Sequence, residues 1–285
     1  MTTAWVFRGG ASFGAAQAGM ARALIEAGHH PDLLFGTSAG ALNAAWLAAD
    51  PTLAGTTSLA RLWTTVRRRD VFSFSPLSFL AGLAGLRDST VSSAAFAKWL
   101  RATTALHRLE DGVLPLVVVA TDLETGEEVL LESGPAVPAL LASSAMPGIF
   151  PPVRVGQRWL VDGSVASDTP VGPAVKSGAS EVWVLPSVPA VPMARPRTAL
   201  DVSLRSVSIT LARHTASVIA EWAGRCELFV LPAPVVPGVS AFNFAKSDQL
   251  IDAGYRLTGA WLPTAQPVAS AEAAPRSLDD QEPLR

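Results

Sequence analysis

Ser38 stands at the centre of Gly36-Thr37-Ser38-Ala39-Gly40, after a short apolar run and before an alanine-rich one. A serine between glycines at a strand-to-helix turn is the arrangement of a nucleophile elbow. The hydroxyl sits at the tip, and the glycines leave room for the tightly folded chain around it. Amides at the start of the following helix face the place where negative charge would develop. Such a serine needs a base. Of the four histidines, His29 and His30 precede the elbow and follow a helix end at Gly28. His107 lies in a polar stretch, and His214 sits beside Arg213 on a long amphipathic run. The serine–acid–histidine order of α/β-hydrolases places several strands ahead of the serine. Here only about one strand and one helix fit before residue 38, so a histidine triad is a poor reading.

A carboxylate is the better candidate. Asp162 ends the apolar segment Trp159-Leu160-Val161 and is followed by Gly163 and Ser164. This is where a catalytic acid would be delivered by a strand, and equally where a turn aspartate bonds its own backbone. A third element shifts the balance. Ala4-Trp5-Val6-Phe7 reads as a buried strand feeding Gly9-Gly10-Ala11-Ser12-Phe13-Gly14, and a helix follows from about Ala15 to Ala27. A glycine-rich strand-to-helix turn presents backbone N–H groups to an anion. A dinucleotide fingerprint would need glycine where Ala11 stands and an acid ending the next strand, whereas Asp32 begins it. A Walker loop would need Gly-Lys-Ser/Thr, which the turn lacks. An oxyanion hole needs only unhindered N–H groups beside a nucleophile, and it explains why the elbow follows on the next strand.

Together these residues resemble the patatin-like phospholipase family over roughly residues 4 to 175. The oxyanion loop is similar to Gly9–Gly14, and the elbow to Gly36–Gly40 with Ala41-Leu42-Asn43-Ala44. Thr121-Asp122-Leu123-Glu124-Thr125-Gly126, Ala142–Pro152, and Asp162-Gly163-Ser164 with Asp168-Thr169-Pro170 match further motifs in the family's order. The resemblance implies a three-layer α/β/α fold with a central, mostly parallel sheet, and a Ser38–Asp162 dyad without histidine. It also implies an oxyanion hole from Gly10 and Ala11, with Gly9 as a third donor, and Gly14, Gly36, Gly40 and Gly163 as motif glycines. The expected activity is hydrolysis of carboxylic esters of phospholipids or lysophospholipids through an acyl-enzyme, without cofactor or metal. Two departures from the pattern leave alternatives open: Ala11 replaces the third glycine, and Phe13 stands where the family commonly carries Arg or Lys. Arg8 is a candidate substitute for that cation. Acyl transfer to another alcohol, or a catalytically weakened lipid-binding protein, remain the alternatives.

The rest of the sequence bounds this reading. The 285 residues, 49% of them hydrophobic, suffice for one large domain, and a net charge of −2 gives no reason to expect nucleic acid as a partner. The single cysteine, Cys226, excludes an internal disulfide and is expected on a buried strand. No secretory pattern or membrane-spanning run is found, which points to the cytoplasm. Val71–Leu86 is apolar and uncharged between basic flanks, so residues 70–88 are expected to form a cap or lid able to touch a lipid surface peripherally. Strands are expected at Leu116–Ala120, Glu181–Leu185 and Leu228–Leu231. Helices are expected at Leu59–Arg68, Ser92–Leu106, Ala199–Trp222 and Lys246–Trp261, and a proline-rich loop at Pro186–Arg197. The domain is expected to span 1–262, with a disordered tail over 263–285.

Overall fold

A computed structural model describes residues 1–72, 89–187 and 199–269. Its frame is one eight-stranded sheet: β1 (Thr3–Phe7), β2 (Leu33–Thr37), β3 (Leu116–Asp122), β4 (Glu128–Leu131), β5 (Val153–Val155), β6 (Arg158–Asp162), β7 (Glu181–Leu185) and β8 (Glu227–Val230). The hydrogen-bonded order is β5-β6-β3-β2-β1-β7-β8, with β4 added to β3. From β3 through β8 the pairs are parallel, while β3–β4, β3–β6 and β5–β6 are antiparallel. The parallel strands read as continuous apolar runs because both faces are covered. Successive side chains alternate between two cores. Trp5, Phe7, Leu34, Val118 and Trp183 pack on one side; Ala4, Val6, Phe35, Val117 and Val182 pack on the other.

The first face is covered by α1 (Ala15–Glu26), α2 (Ala39–Ala49), α3 (Leu53–Thr65) and α9 (Ser247–Trp261). The second is covered by α7 (Val171–Lys176) and by the end of α8 (Ala199–Trp222), through Val218, Ile219 and Trp222. This is a three-layer α/β/α architecture. α1 and α9 approach closely because glycines meet backbone across the contact. A Cβ on Gly19 would collide with Ile251 O, and one on Gly254 with Ala16 O. The remaining helices are α4 (Arg68–Val71), α5 (Ala94–Thr103) and α6 (Ala136–Ser143).

The register around β3 sets up the site. Val118 and Val119 lie between β2 and β4, whereas Ala120 and Thr121 lie between β4 and β6. β2 and β6 therefore occupy the same edge of β3, one after the other and running toward each other. Ser38 follows the end of β2, and Asp162 is the end of β6. Parallel pairing of Phe7 with Gly36 likewise brings the loop after β1 beside the elbow. This is the carboxyl end of the sheet, where α/β proteins place their ligands.

Several sequence expectations shift. The helix expected at Leu59–Arg68 begins earlier, at Leu53, where Thr52 Oγ1 accepts from Gly55 N. It stops at Thr65 because Val66 turns extended. Cys226 lies half-buried in the turn ahead of β8 rather than on a strand, and burial pushes its thiol pKa up. The tail expected to be disordered from residue 263 is structured in its first part: Leu262–Thr264 makes a 3₁₀ turn, and Val268 N donates to Leu228 O at 2.8 Å. Val268 also packs on the second core, which gives the edge strand β8 a cover. The expected lid lies outside the described residues from 73 to 88, as do most of the proline-rich loop and residues 270–285.

Candidate active site

Ser38 adopts φ 56° and ψ −125°, a left-handed region that an L-residue enters only where its surroundings enforce it. The enforcement is local. A Cβ on Gly36 would lie 2.5 Å from Ala41 Cα, and one on Gly40 would fall on the Phe7 and Arg8 carbonyls. The helix starting at Ala39 can therefore fold back against β1 and β2 only with glycine at both places. Ser143 at the end of α6 completes the hold: its Oγ accepts from Ser38 N at 2.9 Å and donates to Val119 O at 2.6 Å.

The Ser38 hydroxyl donates to Asp162 Oδ2 at 2.7 Å. Two residues 124 positions apart in sequence thus meet in one hydrogen bond. The other carboxylate oxygen accepts from Ser164 N at 2.9 Å, and Thr121 Oγ1 donates to the Asp162 carbonyl at 2.9 Å. Gly163 permits this turn, since a Cβ there would strike Val119 O. Asp162 is buried, and burial pushes its pKa up to about 6 against the opposing pull of the Ser164 and Ser38 hydrogen bonds. That places it near the range of a general base working at neutral pH.

Beside the elbow, Gly10 has φ 157° and Ala11 has φ 50°. Among the described residues, the N–H groups of Gly10 and Ala11 have no acceptor, while those on either side are engaged. Gly9 N donates to Asp168 Oδ1 at 3.2 Å and Ser12 N to Ala241 O at 3.2 Å. Gly9, expected as a third oxyanion donor, is thus committed to a carboxylate. Arg8, the candidate substitute cation, is also committed: its Nε and Nη2 lie 3.0 and 2.5 Å from Asp168 Oδ2. Phe13, where the family commonly carries a cation, packs on the first core. Gly14 sits against Ala39 and Trp63.

Sequence reasoning gave no role to the polar network behind this loop. Gln17 Nε2 donates to Arg8 O (2.9 Å) and Leu185 O (2.8 Å); Asn43 Nδ2 donates to Gly14 O (2.9 Å) and Gln17 Oε1 (2.7 Å); and Trp63 Nε1 donates to Asn43 Oδ1 (2.7 Å). The Gln17, Asn43 and Trp63 side chains are all buried. The signal was present as single amides on otherwise apolar helix faces, where an unpaired polar group would be costly.

The hydroxyl and Ala11 open onto a cleft of about 630 Å³, open solvent included. Its wall is apolar: Leu42, Leu62, Val66, Trp99, Met146 and a ring cluster in which Phe72 stacks on Phe150 at 5.4 Å and tilts against Phe244 at 6.4 Å. None of the histidines lines it. His29 instead lies against Trp183, with ring centroids 4.6 Å apart.

A family model for patatin-like phospholipase matches residues 5–175, the stretch that carries Ser38, Asp162, Asp168 and the Gly9–Gly14 loop. The chain belongs to the patatin-like phospholipase family. An uncharacterized NTE family protein of Mycobacterium tuberculosis is 28% identical over 278 residues, covering 87% of this chain and 44% of that protein. A second NTE family protein of the same organism is 35% identical over 97 residues, covering 31% and 26%. The chain thus spans less than half the length of these curated relatives. Among solved structures, VipD from Legionella pneumophila is similar at a TM-score of 0.49 and 14% identity, covering 94% of this chain and 68% of that one. A chain of the ExoU–SpcU complex of Pseudomonas aeruginosa is similar at 0.38 and 16%, covering 95% and 54%. Within this patatin-like chain, no described helix is long and apolar enough to cross a membrane.

Proposed function

We propose that the protein is a serine acyl hydrolase that cleaves carboxylic esters of lipids, with phospholipid or lysophospholipid as substrate class. The observation that carries this reading is the 2.7 Å bond from Ser38 Oγ to Asp162 Oδ2, set beside two unengaged N–H groups and an apolar cleft. In the first step Ser38 Oγ attacks the ester carbonyl carbon and its proton passes to Asp162. The carbonyl oxygen, now an anion, is held by the N–H groups of Gly10 and Ala11. Collapse breaks the bond to the alkoxy oxygen, which leaves with the proton from Asp162. Water then repeats the sequence on the acyl-enzyme, with Asp162 again as base, and releases a fatty acid. The acyl chain would occupy the ring-lined cleft, whose described lining carries no charged side chain.

A second reading, a lipid-binding protein with weakened catalysis, rests on Ala11 at φ 50° in the lining of the same cleft. The deciding experiment is incubation with phosphatidylcholine and lysophosphatidylcholine in mixed micelles, followed by product analysis. Free fatty acid released by the wild-type protein and not by Ser38→Ala supports hydrolysis. Ester transferred to an added alcohol without free acid would indicate an acyltransferase. Lipid binding without either product would support the second reading.

A further inference from the structure

The entry to the loop that carries Gly10 and Ala11 is tied at every backbone polar group. Arg8 N donates to Leu185 O at 3.2 Å, and Arg8 O accepts from Gln17 Nε2 at 2.9 Å. Gly9 N donates to Asp168 Oδ1 at 3.2 Å, and Gly9 O accepts from Ser187 Oγ. Among the described residues, the next two N–H groups have no acceptor. Of these ties, only the one to Asp168 comes from the segment that also delivers Asp162. That segment is fixed to the elbow as well, because Thr37 Oγ1 donates to Ser167 O at 3.0 Å. Gly9 sits tightly between the two. A Cβ on it would lie 2.6 Å from Ser164 Oγ, 2.8 Å from Asp168 Oδ1 and 3.2 Å from Ser38 Cβ. Gly9 φ and ψ separate its N–H from that of Gly10, and Gly9 O shares a peptide plane with the Gly10 N–H, so the Asp168 tie on one side and the Ser187 tie on the other together set where the Gly10 N–H points.

We propose that Asp168 is a positioning residue whose Oδ1 grips the Gly9 N–H and thereby aims the Gly10 and Ala11 N–H groups at the developing oxyanion, with Arg8 serving to hold that carboxylate. The inference rests on the acyl-hydrolase reading above. The two carboxylate oxygens divide the work. Oδ2 takes both Arg8 contacts and Oδ1 takes the loop. Asp168 is 2% exposed, so without Arg8 it would be an unpaired buried charge. Removing the pair together avoids that penalty, while the choice of residue at 168 decides whether Gly9 keeps an acceptor.

Two double variants separate charge from grip. Arg8→Met with Asp168→Asn keeps an amide oxygen for Gly9 N; Arg8→Met with Asp168→Ala does not. Each is first checked for cooperative denaturant unfolding. Turnover of p-nitrophenyl acyl esters and the rate of fluorophosphonate labelling at Ser38 are then measured. The expected result is a kcat about threefold below wild type for the first variant. The second should fall at least about tenfold further, with KM within about twofold, because a mis-aimed donor weakens transition-state stabilisation and leaves acyl binding intact. Equal kcat in two folded double variants, or a loss confined to KM, would overturn the proposal. A wild-type protein that neither labels nor turns over would remove the acyl-hydrolase reading itself, and this inference with it.

Discussion

Replacing Asp162 by Asn should make the protein more stable and inactive at once, and both effects should grow as the pH rises. Burial raises the carboxyl from 3.8 to about 6. Below about pH 3.8 the group is protonated in both states and costs nothing. As pH rises, the unfolded chain ionises first while the folded protein still holds the proton, so stability falls until both states are ionised. A shift of about 2.2 units corresponds to about 3 kcal/mol once ionisation is complete, and about 1 kcal/mol at pH 4.5. Asp162→Asn removes this cost. Its amide can still accept from Ser164 N and face Ser38 Oγ. Urea unfolding of the variant and the wild type at pH 4.5 and 8 tests this through the midpoint at constant slope. The variant's advantage should be about 1 kcal/mol at the lower pH and up to about 3 at the higher. Catalysis needs the ionised base, so wild-type kcat/KM should rise with pH through a midpoint near 6, and Asp162→Asn should lose about 10²- to 10⁴-fold. A variant less stable than wild type at pH 8, or an advantage that does not shrink on acidification, would refute the burial argument.

Ala11→Gly should relieve the strain of alanine at φ 50°, raising stability by about 0.5–1 kcal/mol in urea unfolding, with kcat equal or higher. Lower stability would mean that the methyl packing matters more than the backbone strain. Gly40→Ala should destabilise by about 3 kcal/mol or more, because the new methyl falls on the Phe7 carbonyl; a variant unfolding at the wild-type midpoint would show that the elbow can shift. Asn43→Leu strands Trp63 Nε1 and Gly14 O in the interior. It should cost about 2–4 kcal/mol and lower kcat, and an unchanged unfolding curve would remove the network from the account.

The elements legible in the sequence were those dictated by one local rule. β7 and α8 span the residues their periodicity indicated, because an uninterrupted apolar run and a helical repeat each admit one reading. The antiparallel strands β4 and β5 escaped notice. They are four and three residues long, Glu128 opens one and Arg154 is the centre of the other, so only pairing with β3 and β6 makes them strands. α3 began earlier than its pattern suggested because Gly55 and the threonines beside it obscure the first turn. At the site, Ser38, Asp162 and the glycine loop stood out because their residue types and motif spacing are unusual. The meeting of Ser38 with Asp162 depends on β2 and β6 sharing one edge of β3, a long-range pairing that no local pattern encodes. The same holds for Gly9. Its sequence suggests an open amide, and only the turn after Asp162, folding across to it, shows that amide to be occupied.

The central claim is that Ser38 is a nucleophile activated by Asp162 beside a working oxyanion hole. Its most direct test is treatment of the protein with a fluorophosphonate, with and without mixed micelles, followed by intact and peptide mass measurement. The account predicts one adduct, located on Ser38, formed rapidly by the wild-type protein and lost in Asp162→Asn. No adduct in either condition, or an adduct on another serine, would contradict it.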